Sequence, residues 1–597
     1  MMRFKPSLLC YLIILILSFT ENAKGQDITP NSSLKPTPLI LLDLSAFEAN
    51  ISAQWKIAGN VFGDRTKAKD LEIKTGKGIL VYLPKANGNK TLKTELTHGD
   101  IDLNLDFLLS KSATFSILFQ ERYQVTITDE WFKNGNNAIK APGLWQHVSI
   151  RFKAPEFDAH GKKTSNARLK EVIINGQQVK TPSEITLSEN SRLKDEKALG
   201  AILIRGGNSP FAIRNISYKT YKKEIVKLSA IQFKVYNGLH KTVDTLQSLK
   251  PKRTGVTDTL SHRVGDRKSQ LVFEGLAEIP TDGEYLFKLT AGGGAWLFID
   301  NRLLINNRGS RDFEKALYAK QTLKKGKYPF KIVYSNSDEC LVLQYEGPQI
   351  PWQSLTTAAS VRHGEQFEPL EYKLNKKPAL QRGFMLQNGA VNPYIAAVGI
   401  PGIDSSTGFN YAFDMKKYNL TAAWHSKFID VSNMWTERGE KQLEIPLGAK
   451  LELPGKPFLS VSNHEKTSWP DSVQAPEGVY QNRGYRLNKD GLPVFYYAIN
   501  DTSIEDFSYP NESKTGLTRA LKISNPSATT YGLLAEGKVI EKLGDGGYAV
   551  DDKNYYLTNL NASNLEIKII HNKEGDKLIA TIRPGKEPVT IKYDIIW

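Results

Sequence analysis

The sequence predicts an all-β protein made of three β-sandwich modules. Short runs in which apolar and polar residues alternate follow one another along the chain, the period-two signature of strands with one buried face. Gly, Asn, Asp and Pro separate these runs, and the amphipathic helices that a parallel α/β sheet needs between its strands are missing. Aromatic residues make up 10% of the 597 residues, with 25 Tyr, which suits pleated surfaces better than helical bundles. A chain of this length exceeds one core, so several domains are expected.

The chain opens with "MMRFKPSLLCYLIILILSFTENAKGQ". Arg3 and Lys5 form a basic start, Leu8 to Phe19 is an apolar run too short for a comfortable membrane span, and Ala23-Lys24-Gly25 supplies small residues at the two positions a signal peptidase reads. Residues 1–25 are therefore expected to be a cleaved signal peptide, giving a secreted or periplasmic protein with no membrane span after cleavage. Residues 26–38, "QDITPNSSLKPTP", have no apolar period and are read as a flexible leader. The two cysteines are Cys10, in the signal, and Cys340, so the mature chain is expected to carry no internal disulfide.

From residue 39 to 222 the strand candidates include "GILVYLP", "IDLNLDFLL", "FSILFQERYQVTIT", "QHVSIRFKAP" and "GAILIRGG". Alternation through Leu118–Trp131 reads as one strand, with Gln120, Arg122, Gln124, Thr126 and Thr128 on one face. Phe119, Tyr123, Val125 and Ile127 fall on the other. A second block, 228–355, carries "GEYLFKLTAGGGAWLFIDNRLLINN" and "LVLQYEGP"; a third, 366–597, carries "IAAVGIPG", "FNYAFDM" and "LPVFYYAIN". The formal net charge is +16, but the basic residues are spread among 63 acids without a concentrated basic helix. Nucleic acid is therefore not an expected partner. No P-loop, dinucleotide fingerprint, zinc-protease helix or nucleophile elbow occurs. No cofactor is evident, and a divalent metal is left open.

Three resemblances follow from these residues. The segments "GDIDLNLDF" (Gly99–Phe107), "QERYQVTITDEW" (Gln120–Trp131), Gly143–Val179 and "GAILIRGGNSPFAIRNISY" (Gly200–Tyr218) together resemble the 3-keto-disaccharide hydrolase domain family, a jelly-roll, laminin-G-like (concanavalin-type) sandwich. Asp282–Asn307 and Leu341–Pro348 resemble the protective-antigen-type β-sandwich often appended to carbohydrate-active proteins. Arg382–Gly389, Phe409–Trp435 and Arg483–Ile499 are similar to a β-rich module seen beside bacterial c-type cytochrome domains; this chain has no haem-attachment motif. The first resemblance implies a 3-keto glycoside substrate. A base would remove the acidified C2 proton, the glycosidic oxygen would leave by β-elimination, and water would add.

Carried onto this sequence, the resemblance points to Arg122 as the clamp on the keto sugar and to Asp129 or Glu95 as the base. Gln120, Gln124, Arg205, Asn208 and His98 would be substrate contacts. Where family members commonly read Arg-Tyr-Glu-Val-Gln, this chain reads Arg122-Tyr123-Gln124-Val125-Thr126, and a glutamine cannot act as a base. Three readings therefore stand: a hydrolase of 3-keto glycosides, which the resemblance favours; a non-catalytic carbohydrate-binding protein with a degenerate site; or a structural cell-surface adaptor, with carbohydrate-degrading proteins as partners. Sugar-binding members of the second family hold calcium on paired acidic residues in an early loop. That loop here is Gly292-Gly293-Gly294, with Asp300 and Asn301 in the next turn. In the first block His98 is otherwise an ordinary loop residue, His147 a strand-surface residue and Trp145 a packed one, with Asp102 and Asp106 solvated or paired across the sheet. Trp424, His425, Asp430, Trp435, Arg438 and Trp469 form the densest polar–aromatic group of the third block, as core or as a second glycan surface.

Overall fold

The computed structural model describes residues 35–597 apart from 49–52, 87–88, 129–137, 181, 183, 190, 192, 241, 308–315, 359–369, 403–407, 436–442, 463–467, 474–478 and 563–564. Regular structure among the described residues is almost entirely antiparallel strand. Helix is confined to single turns such as Asp244–Ser248, His262–Val264 and Ser432–Trp435. No helix among these residues is long and apolar enough to cross a membrane.

In the first sandwich one sheet carries, in spatial order, Gln177–Gln178, Arg168–Ile174, Trp145–Lys153, Ile101–Leu109, Phe211–Thr220, Glu72–Tyr82 and Trp55–Phe62. The facing sheet runs Thr91–His98, Gly200–Gly206, Thr114–Phe119 and Tyr123–Thr128. Burial follows sequence parity. In Ile101–Leu109 the residues Ile101, Leu103, Leu105 and Phe107 are buried between the sheets, while Asp102, Asn104 and Asp106 look outward. Asp106 meets His147 and Asn215 there, Asp102 lies 3.4 Å from Arg151, and Trp145 packs beneath the Arg214 guanidinium.

One prediction needs correction. Leu118–Trp131 is not a single strand: Thr114–Phe119 and Tyr123–Thr128 are the two arms of a hairpin. Gln120 and Glu121 both take left-handed backbone angles (φ 54° and 62°), and the Arg122 N–H returns to the Phe119 carbonyl at 3.0 Å. Two consecutive positive φ values match the right-handed twist of the arms, the reason such turns close hairpins.

Residues 219–366 form one compact unit, and residues 38–218 and 367–597 together form another. In the first unit a six-stranded sheet and the four-stranded sheet Leu317–Leu323, Gly283–Ala291, Leu341–Gly347, Ile350–Ser354 enclose a core that includes Phe273, Leu289, Leu297 and Ile332. In the second unit the C-terminal block contributes sheets of five, four and eight strands around a core that includes Tyr411, Phe413, Phe495 and Leu557. This block is seated on the first sandwich. Leu144 packs with Leu543, Ala549, Tyr556 and Ile596; the Trp145 N–H donates to the Lys553 carbonyl at 2.9 Å; Arg65 meets Asp545 at 2.9 Å; and buried Lys553 reaches Glu541 and Asn60.

Candidate functional site

The hairpin end gathers three of the predicted site residues. Gln120 is fully buried; its side-chain amide donates to the Ala198 and His98 carbonyls, and its backbone N–H to His98 Nε2 at 3.3 Å. His98 is 1% exposed, set edge-on to Phe119 and Phe152, and burial takes its pKa down to about 4, so the ring is neutral near pH 7. Arg122 is 3% exposed. Its Nε donates to the Asp195 carbonyl, its Nη2 to Asp195 Oδ1 at 2.8 Å, and its Nη1 to the Gln120 carbonyl at 2.8 Å. The sequence expects Gln120 as a substrate contact and Arg122 as the clamp on the keto sugar; here the donors of both are engaged within the protein. Both lie below the surface because the turn swings them off the outward row, and their donors hold protein carbonyls and, for Arg122, the Asp195 carboxylate.

Gln124 does point outward, but a segment of the same sandwich passes over it. The Ser188 hydroxyl donates to Gln124 Oε1 at 2.8 Å, the Ser188 N–H to the Arg122 carbonyl, and the Ser191 hydroxyl to the Glu121 carbonyl. The Tyr123 hydroxyl fastens Glu196, which Lys163 also holds. Residues 188–189, 191 and 193–198 therefore lie over the hairpin as parts of a strap, and the Gln124 amide nitrogen turns to Ser116 and Thr126. The strap is irregular and polar, and neither periodicity nor motif marks it. The acidic pair Asp195-Glu196 opposite buried Arg122 is the feature that fixes its place.

The remaining predicted residues lie apart. Glu95 is exposed on the edge strand Thr91–His98; Arg205 is half-buried, opposite Thr91 and Ser116; exposed Asn208 accepts from Lys90 at 2.8 Å. Asp129 lies outside the described residues. In the C-terminal block Trp424 and Trp469 are buried with their indole N–H groups on the Phe428 and Pro457 carbonyls, and His425 stacks on Trp597 at 4.1 Å. Asp430 is buried, accepting from the Leu370 and Ser432 N–H groups. These four belong to packed interior; the Trp435 side chain and Arg438 lie outside the described residues.

In the unit of residues 219–366 the glycine loop has a backbone reason. Gly293 has φ 148°, and a Cβ there would collide with the Ser335 carbonyl, so the loop packs glycine and supplies no carboxylate to a cation. Asp300 and Asn301, both at positive φ (54° and 58°), are the turn between Ala295–Ile299 and Arg302–Asn307.

The outer face of the six-stranded sheet holds a groove of about 1090 Å³. Its orientation follows from parity: Phe273 and Ile332 point into the core, so Glu274 and Lys331 point out. The turn Asp244–Ser248, anchored by Leu246 on Tyr236, Val272, Trp296 and Val333, makes one wall. Phe298, Pro329 and Leu303 offer apolar surface, and Asp244, Gln247, Asn301 and Asn306 offer polar groups. Glu274 sits between Lys234 at 2.9 Å and Lys331 at 3.3 Å. Burial alone would raise its pKa, but the Lys234 and Lys331 ammoniums hold it below the usual range. Sequence reading missed this groove, because its residues come from four strands and a turn, each unremarkable alone.

Comparison with known proteins adds the following. Residues 251–358 match the PA14 domain family, overlapping the block of residues 228–355 whose sequence resembles the protective-antigen-type module. No curated protein matches the chain. A "putative glycosyl hydrolase" of Parabacteroides distasonis ATCC 8503 is 20% identical over 31% of this chain and 82% of its own, with a TM-score of 0.23. A second such protein from that organism is 16% identical over 31% of this chain and 100% of its own, with a TM-score of 0.22. The β-glucosidase of Kluyveromyces marxianus is 20% identical over 18% of this chain and 14% of its own, with a TM-score of 0.14.

Proposed function

We propose that this chain is an exported carbohydrate-binding protein. In this reading the groove of the PA14-matching unit contacts sugar, and the first sandwich does not turn over 3-keto glycosides. The groove carries the reading. Phe298 and Leu303 present apolar surface to the C–H face of a pyranose ring, and the amides of Gln247, Asn301 and Asn306 surround it with groups that both donate and accept. The lysine that lines it, Lys331, faces Glu274, and Asp244 adds a second carboxylate, so a neutral sugar suits it better than an acidic one. Against turnover stands the first sandwich. Arg122 is buried under the strap, Gln124 has no carboxylate, and β-elimination needs both a base and a polarised ketone in one place.

The test is calorimetric titration of the protein with cellohexaose, xylohexaose and mannohexaose. At least one is expected to bind, and Phe298→Ala to weaken it about tenfold through loss of ring stacking. Absence of binding to all three, or binding indifferent to Phe298, would refute the assignment. Incubation with 3-keto-trehalose is expected to release no free sugar; release would restore the hydrolase reading, with Glu95 or Asp129 as the base to examine next.

A further inference from the structure

On the first sandwich a pocket of about 470 Å³ is lined by Lys69, Lys85, Lys90 and Asn208, with apolar walls that include Leu83 and Pro210. Among the described residues no acidic one lines it. The contrast with its surroundings is informative. Several outward bases of this sandwich face carboxylates: Lys93 meets Glu48 and Glu121, Arg151 meets Asp102 and Glu171, Lys163 meets Glu196, and Arg214 meets Asp106 and Asp552. Among the described residues the ammonium groups of Lys69, Lys85 and Lys90 have no such ion pair. Lys90 instead donates to Asn208 Oδ1 at 2.8 Å, which leaves the Asn208 amide N–H groups as further donors. Four side chains that can donate therefore converge on one concavity with apolar walls.

We propose that this pocket binds the carboxylate-bearing ring of an acidic glycan, a uronic acid residue. The ammoniums and the Asn208 amide would receive the carboxylate and neighbouring hydroxyls, and Leu83 and Pro210 the C–H face of the ring. The volume lies within the range of ordinary small-ligand sites. This pocket shares no lining residue with the groove of residues 219–366 and differs in its ligand charge: there Lys331 is paired with Glu274, and here the lysines have no such partner among the described residues.

Binding of tetragalacturonate, with cellotetraose as the uncharged comparator, tests it. The triple variant Lys69→Gln, Lys85→Gln, Lys90→Gln is expected to lose roughly tenfold or more in affinity for tetragalacturonate, and added salt to weaken the wild type, because the charges are solvent-exposed. All three lysines are exposed, so folding should survive, with thermal unfolding as the control and Lys85→Glu as a second variant expected to act in the same direction. Phe298→Ala is expected to leave tetragalacturonate binding unchanged. The proposal falls if cellotetraose binds as well as tetragalacturonate, or if the lysine variants bind normally. It falls equally if Phe298→Ala removes binding, which would place the uronate in the groove and leave the carbohydrate reading intact. Equal binding of duplex DNA or of inorganic sulfate at the same lysines would mark a general anion surface and overturn the sugar assignment.

Discussion

Asp506→Ala is expected to cost about 3–5 kcal/mol of stability, because it strands a guanidinium in the core of the C-terminal block. Asp506 and Arg519 are 1% and 2% exposed and lie on adjacent strands, Thr502–Pro510 and Gly516–Ser524. The pair is two-pronged: Nε donates to Oδ1 at 3.0 Å and Nη2 to Oδ2. Arg519 Nη1 reaches Asn419 at 2.8 Å and the Tyr593 hydroxyl, the Tyr497 hydroxyl donates to Asp506, and the guanidinium lies 4.8 Å from the Phe458 ring centre. Asn419 belongs to the five-stranded sheet, and Asp506, Arg519, Tyr497 and Tyr593 to the eight-stranded one, so the network joins the two sheets across the core. Alanine at either partner leaves the other charge buried without compensation. Replacing both, Asp506→Leu with Arg519→Met, is expected to be far milder than either single change, since it removes the desolvation cost along with the attraction. Urea unfolding followed by tryptophan fluorescence checks this, with buried Trp424 and Trp469 in the same block as reporters. A double variant as damaged as Asp506→Ala would show that the network's geometry, rather than the unpaired charge, carries the effect.

Much of the fold was legible because burial tracks parity. Ile101–Leu109 alternates in sequence and in the structure alike, and the glycines at 292–294 announce a tight loop that the backbone requires. The hairpin within Leu118–Trp131 was not legible for a local reason. A turn with two positive φ residues normally advertises itself through Asn-Gly or Asp-Gly, and here Gln120-Glu121 occupies it. Alternation continues through the turn, so a slip from strand to hairpin leaves no mark in the pattern. The surroundings of the site residues are set at longer range. Arg122 reads as an available clamp until Asp195 is placed on it, and the two are 73 positions apart. His425 and Trp424 read as a sugar surface or as core, and the stacking of Trp597 on His425 decides between them. The seating of the C-terminal block on the first sandwich depends on contacts such as Lys553 with Asn60, 493 positions apart, which no local property encodes.

Glu444→Gln is expected to raise stability near pH 8 by about 2 kcal/mol or more, and to flatten the fall in stability that the wild type shows as pH rises toward that value. Glu444 is 1% exposed, neither carboxyl oxygen has a hydrogen-bond partner among the described residues, and a Cβ at Gly383 would strike its carboxylate. Its position is fixed by the backbone: the Glu444 N–H donates to the Phe384 carbonyl at 2.7 Å, and Leu443 bridges to Phe384. Burial pushes its pKa from 4.5 to about 8. Between those values the folded protein holds a proton that the unfolded chain has released. The stability from the neutral acid is therefore complete below about pH 4.5 and is lost as pH climbs through 8. His98 and His425 act in the opposite sense. Burial lowers both to about 4 from 6.5, so the unfolded chain takes up their protons first and stability rises with pH through that window. Above about pH 6.5 they fall silent, and the Glu444 contribution can be read alone by comparing urea midpoints of wild type and variant from there to pH 8. Glutamine keeps the volume and the neutral charge of the protonated acid, so packing is preserved. Parallel midpoint curves for the two proteins would mean that Glu444 is ionised in the folded state and that its surroundings relax to hydrate it.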